Sequence, residues 1–109
     1  MRIDGVLNII NDRGGINMAK FVAVHPVDPP VKMDSVGPIA KKAKAAVTTD
    51  AYWVKSWCEL NDSGDVTAVY CEWDGKNAQA VKDALTKSIP ELPFSKVSPM
   101  AEIQGEDFR

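Results

Sequence analysis

The sequence has one histidine, His25, and only two cysteines, Cys58 and Cys71. Two cysteines are too few for the disulfide scaffold of a small secreted domain, so a reducing cytoplasm is the expected compartment. No apolar run comes near the ~20 residues that cross a bilayer, which argues against a membrane span. Neither sign of charge dominates: 13 lysines and arginines stand against 15 aspartates and glutamates, mixed along the chain, and the formal net charge is −2. That balance leaves no basic footprint for nucleic acid. Also missing are internal repeats, low-complexity tracts, a phosphate-binding glycine loop, a CxxC pair, a Ser-His-Asp order and a paired-carboxylate motif. What is there is a chain of 109 residues, 45% hydrophobic and 26% charged, the make-up of one ordinary globular domain. A core of that size gains from pairing with a second copy of itself.

The amino-terminal segment reads differently from the rest. "MRIDGVLNII" has an apolar stretch broken by Asp4 and no small-residue cleavage site behind it, so it makes a poor signal peptide. Arg13-Gly14-Gly15 can be encoded as CGA-GGA-GGN, which contains a bacterial ribosome-binding sequence, and Met18 follows at the short distance such a sequence requires. Residues 1–17 are therefore expected to be a translated leader, with a flexible arm or an extra edge strand at "GVLNII" as the alternative. Residues 18–109 are the domain.

From Met18 onward strands and helices alternate. "KFVAVHPV" (20–27) is β-branched and aromatic-rich and runs into prolines, which predicts a strand. "DPPVKMDSV" is a connection in which Asp34 or Ser35 can cap a helix. Val36, Ile39, Ala40, Ala43 and Val47 recur at helical spacing, with Lys41, Lys42 and Lys44 outside it. Pro38 falls in the first turn, where its missing N–H costs little. "AYWVKSWCEL" (51–60) and "VTAVYCEWD" (66–74) are two strands about an "NDSGD" hairpin turn. Asn77 caps a second helix with Ala80, Val81, Ala84 and Leu85 on one face and Pro90 at its end. A last strand lies within "SKVSPMAEI" (95–103), where Pro99 predicts an edge position or a bulge. The order β-α-β-β-α-β is the ferredoxin-like split motif, an α+β fold of four antiparallel strands with two helices on one face.

Gly64 suits the left-handed position of a three-residue loop, Asp62-Ser63-Gly64. That loop sets Trp57 opposite Val69, Lys55 opposite Cys71 and Trp53 opposite Trp73. Strict alternation then gathers Trp53, Lys55, Trp57, Val69, Cys71 and Trp73 on one face, leaving Val54, Ser56, Cys58, Leu60, Val66, Ala68, Tyr70 and Glu72 on the other. The second, smaller set suits the helix side, while Phe21, Ala23 and His25 of the first strand join the first set. Three tryptophans on a face the chain does not cover form an apolar patch of the kind that marks an interface. Burying it between two copies closes a dimeric α/β barrel around His25 and Cys71. The two cysteines, on opposite faces, cannot form a disulfide. A two-residue Ser63-Gly64 turn is the competing register. It moves Trp53 and Trp57 to the face opposite Cys71 and brings Cys58 to the face of Cys71, with a serine at positive φ.

His25 in "VAVHPV", the strand "YWVKSW", the hairpin arm "VYCEWD" and the helix "NAQAVKDAL" together carry a likeness. On these segments the chain resembles a family of small ferredoxin-like proteins of unassigned function, some members of which are described as nickel-binding. The resemblance implies a homodimer with metal or small-ligand sites near the first and third strands. It implies His25 and Cys71 as ligands, with Glu72 or Asp74 of Tyr70-Cys71-Glu72-Trp73-Asp74 as a third. Nickel-binding members carry further histidines on their helices, whereas "IAKKAKAAV" and "AVKDALTKS" have none.

Three readings of the chemistry follow. The first is a binding protein that holds a transition metal, nickel foremost, or a small ligand at the open sheet face of a homodimer. Imidazole nitrogen and thiolate sulfur both suit nickel, zinc or copper, and the partner copy or water would complete the shell. Trp53, Trp57, Trp73 and Lys55 would line the place where an organic ligand stacks. The second is a small dimeric α/β-barrel enzyme, monooxygenase- or isomerase-like, with His25 as acid or base. Cys71 could be its nucleophile if Lys55 or His25 lowered the thiol pKa. The third is a ligand-free structural or regulatory dimer packed around the tryptophans.

Overall fold

The computed structural model describes residues 3–4, 9–10 and 17–109. Four strands, β1 (Asn17–Val31), β2 (Ala51–Leu60), β3 (Val66–Gly75) and β4 (Lys96–Pro99), form an antiparallel sheet in the order β4-β1-β3-β2. Helices α1 (Val36–Ala45) and α2 (Ala78–Ser88) cover one face. This is the expected ferredoxin-like βαββαβ fold, and Pro99 lies on the short edge strand β4, where a missing N–H is tolerated. Two-residue strands add to the margins: Ile3–Asp4 pairs with Glu102–Ile103, and Ile9–Ile10 pairs with Asn17–Met18. The rest of the segment 1–17, expected to be a leader, lies outside the described residues. Among the described residues no helix is long and apolar enough to cross a membrane.

The second helix forms for the reasons the sequence gives, whereas α1 lacks the expected side-chain cap: Ser35 stands at its N-cap position without a capping bond, and the helix ends at Ala45, before Val47. In α1, Ala43 is buried while Lys41, Lys42 and Lys44 are exposed, and Pro38 stays in the first turn. The side chain of Asn77 accepts a 2.8 Å hydrogen bond from the Ala80 N–H, capping α2, which buries Val81, Ala84 and Leu85. A β-carbon built on Gly75 would lie 2.7 Å from Cγ2 of Val81, so the glycine lets α2 approach the end of β3 closely.

The hairpin loop is the three-residue one. Gly64 has φ 81° and the Asn61 N–H donates to the Asp65 carbonyl at 2.9 Å. Two bulges then break the simple alternation. Thr67 is an extra residue of β3, between the pairs Leu60↔Val66 and Glu59↔Ala68. Val54 is an extra residue of β2, between Lys55↔Glu72 and Trp53↔Trp73. Between the bulges every pair is offset by one, so Ser56 faces Cys71, Trp57 faces Tyr70 and Cys58 faces Val69. This is the register the shorter turn would impose, reached instead through an extra threonine. It corrects two expectations. Trp57 is parted from Trp53 and Trp73, and Cys58 shares the face of Cys71, both being free thiols.

A further correction concerns which face the helices take. Phe21, Ala23, His25, Val69, Cys71 and Trp73 do share a face, but it is the covered one. All are buried, and all but His25 belong to the hydrophobic core that includes Ala43, Val81, Ala84 and Leu85. The expectation that small side chains lie beneath the helices fails on volume. The buried residue of α1 is Ala43, followed by Ala46 just past its end, and α2 adds Ala84 beside Val81 and Leu85, so the sheet supplies much of the bulk that fills the core. The uncovered face carries Lys20, Lys55, Trp57, Glu59, Tyr70, Glu72 and Asp74, and Trp57, 51% exposed, is its one tryptophan.

Candidate functional site

The site begins with prolines. Between Pro26↔Ala68 and Val31↔Val66, β1 takes five steps where β3 takes two. Pro26, Pro29 and Pro30 have no N–H to give to the ladder, so this stretch leaves regular pairing. The Asp28–Pro29 peptide in it is cis. A cavity of about 430 Å³ lies among this stretch, α1, the sheet and the segment after α2. Val27 and Val31 of β1, Val36, Ile39 and Ala43 of α1, and Ile89 and Leu92 after α2 make its wall largely apolar. The sheet contributes His25, Trp53, Ser56, Val69 and Cys71.

His25 is fully buried, and the segment after α2 fixes its ring. Nδ1 lies 3.0 Å from the Leu92 carbonyl oxygen, and the ring meets Phe94 edge-on at 6.4 Å between centroids. A carbonyl only accepts, so Nδ1 carries the proton and donates, which leaves Nε2 as the lone-pair nitrogen. Nε2 has no hydrogen-bond partner among the described residues. Burial pushes the imidazole pKa below its ordinary value, with the carbonyls of Leu92 and Pro93 opposing only in part. The ring is therefore a neutral acceptor at pH 7.

Cys71 sits beside it in a different state. The Val54 bulge puts Trp53 and Ser56, three residues apart, on one face. Trp53 Nε1 donates to Ser56 Oγ at 2.8 Å, and that hydroxyl donates to Cys71 Sγ at 3.1 Å. Burial pushes the thiol pKa up against the opposing bond from Ser56. Lys55, expected to help activate it, lies on the other face, its Nζ 4.9 Å from the centroid of the Trp57 ring. Cys71 is thus a protonated thiol with no cation beside it from Lys55, and of the two groups expected to lower its pKa only His25 lies on its face.

The expected metal set does not converge. His25 pairs with Val69, so Cys71, two residues along β3, is its diagonal neighbour on the same face. Glu72 and Asp74 alternate to the opposite face, where their carboxylates lie 2.5 and 2.6 Å from Lys20 Nζ. Burial works to lower the Lys20 pKa, but Asp74 and Glu72 outweigh it and hold the ammonium above its ordinary range. No group of three His, Cys, Asp or Glu residues suited to a metal ion occurs among the described residues.

Of the expected lining residues Trp53, Trp57, Trp73 and Lys55, only Trp53 reaches the cavity. Trp73 is fully buried elsewhere in the core, and Trp57 and Lys55 stand on the uncovered face. Ser56 and the wall residues Val27, Val31, Ile39 and Leu92 were not foreseen. Their signal was "HPVDPPV", in which three prolines beside the histidine mark a strand that cannot keep its ladder. A scan against protein-family models and searches of the curated proteins and of the solved structures find no match to this chain.

Proposed function

We propose that this chain is a binding protein for a small, largely apolar organic ligand held between sheet and helices, with His25 as its polar anchor. One observation carries the reading: a mostly apolar cavity of about 430 Å³ has the fully buried His25 among its lining residues, and Nε2 of that imidazole has no partner among the described residues. Small-molecule sites combine these features, an apolar wall of roughly 300–1,000 Å³ with a few fixed polar groups. Leaving a buried acceptor unpaired costs about 1–3 kcal/mol, and a ligand donor offsets that cost. Metal binding has less support, because His25 and Cys71 offer two donors and the second must first lose a proton that burial helps retain. If the ligand is also a substrate, the neutral Nε2 is the form a general base takes.

Thermal unfolding tests the proposal. Toluene or naphthalene at a hundred times its dissociation constant should stabilise the protein by about 2.7 kcal/mol, read as a higher melting temperature. Ala40→Trp, which fills the cavity from α1, should keep the circular dichroism spectrum and lose the shift. If neither these compounds nor 2-naphthol, which carries a donor for His25, moves the transition of the parent protein, the cavity is not a binding site.

A further inference from the structure

We infer that the cavity selects a neutral molecule carrying a hydroxyl or N–H donor on an apolar frame, which donates to Nε2 of His25, and that it rejects the matching carboxylate. The inference rests on the proposed cavity site and adds the class of its ligand. The Leu92 carbonyl fixes the tautomer, since Nδ1 must donate to it, and Nε2 is left able only to accept. The other polar groups on the cavity floor are already engaged. Ser56 Oγ accepts from Trp53 and donates to Cys71. No lysine or arginine is part of the wall, whose charged residues are Asp28 and Glu91, both exposed and acidic, and Glu91 pairs with Lys42. A carboxylate placed here would meet a nitrogen lone pair and no cation, leaving a desolvated charge unpaired. A hydroxyl on the same frame supplies the donor that the buried Nε2 lacks. Protonating His25 would remove this logic, but burial keeps the ring neutral near pH 7.

The test compares three molecules with the same two rings: 2-naphthol, naphthalene and 2-naphthoate. Calorimetric titration of the whole protein at pH 7 should rank naphthol first. It should bind about 10- to 100-fold tighter than naphthalene, the factor expected for satisfying a buried acceptor, with naphthoate weakest. Because the chain has one histidine, its imidazole nitrogens can be followed without ambiguity in a long-range proton–nitrogen spectrum. On saturation with naphthol the Nε2 signal should move as that nitrogen accepts a hydrogen bond, with Nδ1 nearly unchanged. His25→Phe should bind naphthalene and naphthol alike. The ligand class is wrong, and the cavity site stands, if naphthoate or naphthalene binds as tightly as naphthol. An Nε2 signal that stays still at saturation has the same meaning. If none of the three binds, the cavity site fails and this inference falls with it.

Discussion

Replacing Ala43 with leucine sets two expectations of opposite sign against each other. Ala43 is 5% exposed and belongs to both the core and the cavity wall. Its side chain gains three carbons, and at about 0.8 kcal/mol for each buried CH₂ they contribute up to about 2.4 kcal/mol. Ordering a leucine costs about 0.5–1 kcal/mol, and leucine is nearly as good a helix former as alanine. The net expectation is a stabilisation of about 1–2 kcal/mol, because the added atoms enter open space. A filled wall gives the reverse, since overpacking a core costs about 1–3 kcal/mol. Urea unfolding followed by circular dichroism measures the difference, provided the slope against denaturant is unchanged. The midpoint must rise, and naphthalene must bind the variant more weakly than the parent. A lower midpoint refutes the presence of free volume beside Ala43 and removes the ground of the proposed function.

Other perturbations probe the frame around the site. Gly75→Ala should cost about 1–3 kcal/mol in the same assay, because the new methyl meets Val81 Cγ2 at 2.7 Å in a buried place; an unchanged midpoint contradicts that packing. Asn77→Ala removes the α2 cap and should cost about 1 kcal/mol, and no loss would mean the 2.8 Å bond is idle. His25 gives a pH dependence whose sign is fixed. Its native pKa lies below the unfolded value of 6.5, so its stabilising effect is fully present above that pH and is lost as pH falls through 6.5 toward the native pKa. The limb should not exceed about 1.4 kcal/mol per pH unit, and His25→Phe should flatten it; an equal slope in the variant shows that other groups cause it.

Much of the fold was legible because it depends on local signals. Asn77 capping, Pro38 in a first turn and Gly64 in a hairpin loop each act within a few residues, and each is found where the sequence puts it. The orientation of the sheet was not legible, for two separate reasons. A bulge costs a sequence one residue that looks like any other, and neither Thr67 nor Val54 carries a glycine or proline to announce it. The helix-side face is then a matter of fit between two surfaces. Ala43 and Ala84 leave room that Trp73 and Phe21 of the sheet help to fill, so judging the sheet's residues by size alone inverts the answer.

The candidate site was half visible for a related reason. His25, Cys71 and Trp53 were picked out by their chemistry, and they line one cavity, but the carboxylates were added to them by nearness in sequence. In a strand that nearness works against convergence, since Glu72 and Asp74, odd steps away from Cys71, must point the other way, and there they meet Lys20. What surrounds His25 comes instead from distant segments, Leu92 and Phe94 holding the ring and Ile39 and Ala43 lining the same cavity. The prolines of β1 tie these together. By surrendering ladder bonds the chain leaves β3 between Pro26 and Val31, and the cavity lies among that stretch, α1 and the sheet, with His25 in its lining.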